Sequence, residues 1–135
     1  MNVFIDTSAF YAVIDADDQR HHEAVIAWED LLGGRAAFHT TSYVLIETTS
    51  LLQNRIGVDA LRTFAADILP VANIAWVDES VHLSAFHALL ISAQRRLSLV
   101  DCVSFETMRR MGIENAFCFD PHFAEQGFQV IPASA

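Results

Sequence analysis

The sequence predicts a three-layer α/β/α sandwich around a largely parallel central sheet. Three observations point there. Short apolar runs alternate with longer segments of helical periodicity, which is the pattern of strands joined by helical crossovers. At least two of those runs end on an acid, at Asp6 and Asp120. A chain of 135 residues that is 53% hydrophobic can bury a sizeable core as one domain, and residues 1–135 contain no repeat, low-complexity tract or linker.

Asn2 to Asp6 (NVFID) reads as the first strand, with Asp6 at its carboxyl end. Thr7 and Ser8 offer hydroxyls to cap a helix beginning at Ala9, Phe10, Tyr11 and Val13. On its own, Asp6 could serve as no more than that cap. Asp15 to Asp18 break the chain, and Ala24, Val25, Ala27, Trp28, Leu31 and Leu32 give a helix stopped by Gly33 and Gly34. His21 and His22 at its start lack partners at ligand spacing and read as solvated. Ala36 to Thr40 is the second strand, and Thr41 or Ser42 caps a helix running to about Arg55. Within it, Glu47 stands among Val44, Leu45, Ile46, Leu51 and Leu52. If it points inward it needs a cation or charged partner, because an unpaired buried carboxylate is costly.

Val58 to Leu69 reads as a helix ended by Pro70, and Ile74 to Val77 as the third strand. Glu79 or Ser80 opens a long helix through Leu83, Phe86, Leu89, Leu90 and Ile91 to Arg96, with His82 and His87 as core or surface residues. Ser98 and Asp101 have the spacing of a capping box, which places Asp101 in the first turn of a helix carrying Val100, Val103, Phe105, Met108 and Met111. Gly112 ends it. Ala116 to Phe119 is a buried strand with Asp120 at its carboxyl end, where open α/β sheets place their ligands. Pro121 to Glu125 is a helical turn anchored by Phe123, and Gly127 leads into a last strand, Phe128 to Ile131.

Composition prunes the function classes. All eight basic residues are arginine, which removes a P-loop lysine, Schiff-base chemistry and the lysine of receiver-type phospho-acceptors. Ser8 stands where an Asp-x-Asp phosphohydrolase needs its second acid. Cys102 and Cys118 are too few and too apolar in setting for a disulfide framework or zinc site. No run approaches the ~18 apolar residues of a membrane span, and Asp6 comes too early for a basic signal peptide, so a soluble cytoplasmic protein is expected. The net charge of −9 argues against an extended nucleic-acid-binding surface. Arg95, Arg96, Arg109 and Arg110 nevertheless bracket Asp101, either as solvated helix ends or as a local grip on RNA phosphates.

The predicted topology brings Asp6, Glu47, Asp101 and Asp120 to the carboxyl edge of the sheet. Carboxylates gathered in one cleft repel and raise one another's pKa, so they require a compensating charge. Oxygen ligands without imidazole or thiolate select Mg²⁺ or Mn²⁺ over zinc. Such an ion leaves positions for phosphate oxygens and activates water, which is the chemistry of phosphodiester hydrolysis. No Ser/His/Asp or Cys/His arrangement competes.

V-F-I-D-T-S at residues 3–8, Glu47, L-S-L-V-D at 97–101 and F-D-P-H-F at 119–123 together resemble the PIN domain, and most closely the VapC-type ribonuclease toxins of toxin–antitoxin pairs. The resemblance spans nearly the whole chain. It implies that Asp6, Glu47 and Asp101 are core acids and Asp120 a fourth, all serving Mg²⁺ or Mn²⁺, with Thr7 or Ser8 assisting. It further implies cleavage of single-stranded RNA, a homodimer and a cognate antitoxin that inserts a segment into the site. Relatives often carry an acid where His122 stands; a surface position is expected for it, a proton shuttle being the alternative. Competing functions are a structure-specific DNA nuclease, for whose gripping elements there is no room, and a non-catalytic PIN-like binding module.

Overall fold

The computed structural model describes residues 1–133. Strand β1 (Asn2–Ile5) is followed by α1 (Thr7–Ile14) and α2 (His21–Gly33), then β2 (Ala37–Thr41), α3 (Ser42–Arg55) and α4 (Val58–Thr63). β3 (Ala72–Ala75), α5 (Glu79–Ser92), α6 (Leu99–Met111), β4 (Asn115–Phe117), α7 (Pro121–Glu125) and β5 (Gln129–Ile131) complete the chain. The five strands form one sheet in the order β3-β2-β1-β4-β5, and every neighbouring pair is parallel. Because β2 and β3 wind outward on one side of β1 while β4 and β5 lie on the other, the winding reverses between β1 and β4. Such a switch point opens a crevice at the carboxyl ends of the strands. Asp6 leaves β1 there, its N–H still bonded to Phe117 O of β4 at 3.0 Å.

β1 is buried on both faces: Val3, Phe4 and Ile5 have no exposed surface. Uninterrupted apolar runs of this kind are what a sheet covered by helices requires. Phe123 is also fully buried, 4.9 Å from Phe105 and 6.3 Å from Phe4 between ring centroids, so the short α7 is pinned to both sheet and α6. Cys102 and Cys118 are buried free thiols, and burial pushes Cys118 up to about 12.

Several boundaries differ from expectation. Neither Thr7 nor Ser8 caps α1; Asp6 does, accepting from Ser8 N–H. Thr41 caps α3. α5 opens at Glu79 as expected, capped by Asp78 through Val81 N–H. The segment from Val58 to Leu69 is not one helix, since α4 widens into a π turn (Phe64–Ile68) and then a 3-10 turn containing Pro70. Proline offers no N–H to the preceding turn, so regular helical bonding cannot carry through it. β3 begins earlier and stops at Ala75, because Val77 N–H turns to Ser42 Oγ at 3.0 Å. α5 stops at Ser92, whose hydroxyl donates to Leu89 O at 2.9 Å, and Arg95 and Arg96 lie in the turn beyond. Side-chain bonds of that kind compete with helix continuation.

Candidate metal centre

Three helix starts deliver carboxylates to the switch point. Asp6, as the cap of α1, is 4% exposed; Ser8 N–H and Oγ–H both donate to its Oδ2, at 3.1 and 2.7 Å. Asp101, 8% exposed, sits in a complete capping box: its N–H donates to Ser98 Oγ at 3.0 Å, and Ser98 N–H donates to its Oδ2 at 3.2 Å. Asp120 caps α7 and accepts from His122 N–H on Oδ1 at 2.9 Å. Among the described residues, no hydrogen bond reaches the remaining oxygen of any of these three carboxylates. One oxygen of each is therefore held by backbone and the other is left for a ligand.

Asp101, Asp120 and His122 offer ligand atoms within 4.8 Å of one another. The surface position expected for His122 is thus corrected. Its side chain is 17% exposed, and Nδ1 lies 2.8 Å from Asp120 Oδ1 and 3.9 Å from Asp101 Oδ2. Phe123, next along α7, is locked in the core, and this turns His122 inward. Nδ1 is within ion-pair distance of Asp120 Oδ1 but makes no hydrogen bond of acceptable geometry.

Asp6 and Glu47 stand outside that triple but near enough for charge to register. Burial pushes Asp6 up to about 6, opposed by its two Ser8 hydrogen bonds and reinforced by the charges of Asp120 and Glu47. Burial, then the charges of Asp120 and Asp6, push Asp101 up to about 7. Glu47 is half-buried on α3, flanking the fully buried face of Val44 and Thr48. That face docks on the first turn of α1, where Thr48 Oγ1–H donates to Thr7 Oγ1 at 3.2 Å and Thr7 Oγ1–H points to Val44 O at 3.5 Å. Thr7 is consequently a buried tie between α1 and α3 and does not face the crevice. Ser8 does: besides holding Asp6, its Oγ accepts from Phe119 N–H at 2.9 Å. It joins the loop of Asp6 to the loop of Asp120.

Arg109 and Arg110 lie in the last turn of α6, about 12 Å along the helix from Asp101. Arg109 donates to Gln126 and lies over Phe128, and Arg110 pairs with Glu106 and donates to Ser80 and Ser84. They are occupied away from the acids, so the structure does not support the phosphate grip for this pair. Arg95 and Arg96 are exposed just before Ser98 and remain available.

No arginine pairs with Asp6, Asp101 or Asp120 among the described residues. Buried carboxylates that raise one another's pKa, each with an unbonded oxygen, beside an unpartnered imidazole nitrogen, are a donor set that fits a divalent cation.

The description "PIN domain" matches residues 3–129. The chain is 35% identical over 127 residues, 93% of its length and 95% of the relative's, to a Mycobacterium tuberculosis protein named 23S rRNA-specific endonuclease VapC20. The crystal structure of that toxin, described as cleaving the sarcin-ricin loop, superposes with a TM-score of 0.81 at 34% identity, over 93% of this chain and 95% of the other. FitAcB from Neisseria gonorrhoeae shares the fold, with a TM-score of 0.67 at 14% identity over 95% of each chain. With its parallel sheet, its acids at the switch point and these likenesses, the chain belongs to the PIN-domain family, on its VapC-type branch.

Proposed function

We propose that this chain is a divalent-metal-dependent endoribonuclease and the toxin of a type II toxin–antitoxin pair. The observation that carries the reading is the gathering of Asp101, Asp120 and His122, with buried Asp6 near enough for its charge to act on Asp101 and no arginine pairing with these acids among the described residues. Asp6, Asp101 and Asp120 would hold the ion, with Glu47 adding charge from α3. The carboxylate oxygens suit Mg²⁺ or Mn²⁺, and His122 Nδ1 stands beside them as a nitrogen donor. When bound, the ion supplies Lewis-acid stabilisation of phosphoryl oxygen and lowers the pKa of water. The residues' own part is to fix each carboxylate by backbone hydrogen bonds to its other oxygen, so that little reorganisation accompanies the reaction. Arg95 and Arg96, exposed in the turn before Ser98, are the arginines proposed to contact RNA phosphates.

The test is cleavage of matched single-stranded RNA and DNA by the purified protein. Cutting of RNA that needs Mg²⁺ or Mn²⁺ and stops with chelator supports the reading. Cutting that persists in chelator, or is confined to DNA, rejects it.

Ser8 acts here as a positioning residue. Ser8→Ala removes the tie between the two acid-bearing loops, with a loss of about 1 kcal/mol of stability and a fall in kcat of about tenfold. A kcat equal to that of the unmodified protein would leave Ser8 with a structural role only.

An antitoxin carrying arginine is the complementary partner for an acidic crevice, its guanidinium pairing with the carboxylates. A homodimer is proposed through α5. Ala85 is the one residue buried along it, whereas Leu83, Phe86, Leu90 and Ile91 are exposed beside Trp76. An apolar face of this kind marks an interaction surface. Light scattering should give twice the 15.0 kDa mass of the chain, falling to the monomer in Leu83→Glu/Leu90→Glu. A monomeric unmodified protein would contradict it. No helix among the described residues is long and apolar enough to cross a membrane, and action in the cytoplasm, where RNA is at hand, is part of the proposal.

A further inference from the structure

Asp120 also borders a cleft of about 580 Å³ lined by Arg20, Glu23, Phe119, Pro121, Val130 and Pro132 among others. Its volume falls in the range of sites that enclose small ligands. The guanidinium carbon of Arg20 lies 5.6 Å from the centroid of the Phe119 ring, and its Nη1 donates to Glu23 Oε1 at 3.0 Å. Arg20 and Glu23 side chains are 57% and 46% exposed, so both are reachable from solvent. Phe119 is half-buried, and its N–H is fixed by Ser8 Oγ. The ring is thus held in register with the acids, one residue from Asp120.

These parts have a shared chemistry. A ring and a planar guanidinium are surfaces on which nucleobases stack, whatever the base. A carboxylate is acceptor-only and therefore selects base edges that carry N–H₂ donors. The single arginine adds local positive charge beside a phosphate path in a chain whose net charge is −9.

We propose that the Arg20–Phe119–Glu23 cleft is a base-reading subsite: it stacks the base of a nucleotide bordering the cut and selects one that presents an exocyclic amino group. This rests on the nuclease reading above and adds to it a determinant of sequence preference. Arg20 and Phe119 supply affinity that is indifferent to sequence. Glu23, with one oxygen on Arg20 and the other open, supplies the choice of adenine, guanine or cytosine over uracil.

The test measures fluorescence anisotropy of labelled RNA decamers of adenine, cytosine or uracil in EDTA, where no cutting occurs. Adenine and cytosine decamers should bind about tenfold more tightly than uracil decamers, and Glu23→Gln should level the difference. Phe119→Leu should weaken all three together by about tenfold. Equal binding of the three by the unmodified protein, or a preference that survives Glu23→Gln, overturns the inference. An arginine-rich peptide that loses affinity on Glu23→Gln while the decamers do not would assign the cleft to a protein partner and overturn it as well. A companion cleavage assay in Mn²⁺ separates the two levels: no metal-dependent cutting sinks the nuclease reading itself, whereas cutting with an unchanged base preference in Glu23→Gln sinks only the subsite.

Discussion

Asp101→Asn should cut RNA cleavage by at least about a hundredfold and, at pH 8 without divalent ions, raise the melting temperature. The loss of rate follows from removing one of the charges that hold the ion against phosphate, an electrostatic contribution of the kind whose deletion costs factors of 10²–10³. The gain in stability is the more diagnostic half. Asp101 is buried near Asp120 and Asp6, and its carboxyl is pushed from 3.8 to about 7, so its charge opposes folding by on the order of a few kcal/mol. Against this, the charge-assisted hydrogen bond that Ser98 N–H donates to Asp101 is worth about 1 kcal/mol at a helix start. Asn keeps the shape and an acceptor oxygen. The relief of charge outweighs the weakened cap. A melting temperature that fell at pH 8, with cleavage intact, would mean that Asp101 is only a capping residue.

Acidifying the metal-free protein from pH 8 toward pH 5 should stabilise it, opposite to the behaviour of carboxylates in salt bridges. The sign follows from the raised pKa values. Between the ordinary value of 3.8 and the folded values of about 6 and about 7, Asp6 and Asp101 bind more protons in the native state than in the unfolded chain. Stability then falls as pH rises through that window and is regained as pH falls through it. Above both folded values the two carboxylates are ionised in either state and the full penalty stands. Thermal melts at a series of pH values in chelator check this. A melting temperature flat or falling from pH 8 to pH 5 contradicts it. Saturating Mn²⁺ should flatten the same curve, because a bound cation holds the native carboxylates ionised.

Much of the fold was legible because its determinants are local. The run Val3–Ile5, the capping box at Ser98 and Asp101, and Gly112 in the left-handed conformation at φ 70° are written within a few residues each. The parallel sheet followed from strands separated by helices. The breakdown of the helix after Thr63 was harder to read, since Phe64 and Ile68 keep an apolar pattern through the π turn and only Pro70 betrays it.

At the centre, the acids were recognisable from their places at strand ends and helix starts. The roles of Ser8 and His122 were not. Ser8 Oγ bridges to Phe119, a bond spanning 111 positions that no local pattern encodes. His122 was expected at the surface because no pattern around it marks an inward face; only the burial of Phe123 shows which way α7 is rolled. Arg109 and Arg110 misled for the converse reason, as proximity in sequence to Asp101 becomes distance along a helix. Arg20 and Phe119 lie 99 positions apart, and their stacking depends on how the start of α2 meets the loop after β4.

Isothermal titration of the metal-free protein with Mn²⁺ tests the central claim most directly. Saturable binding at pH 8 with release of less than one proton per site, weakened at least about tenfold in Asp6→Asn and in Asp101→Asn, is the result this account predicts. No binding heat in the unmodified protein, or an affinity in both variants equal to that of the unmodified protein, would contradict it.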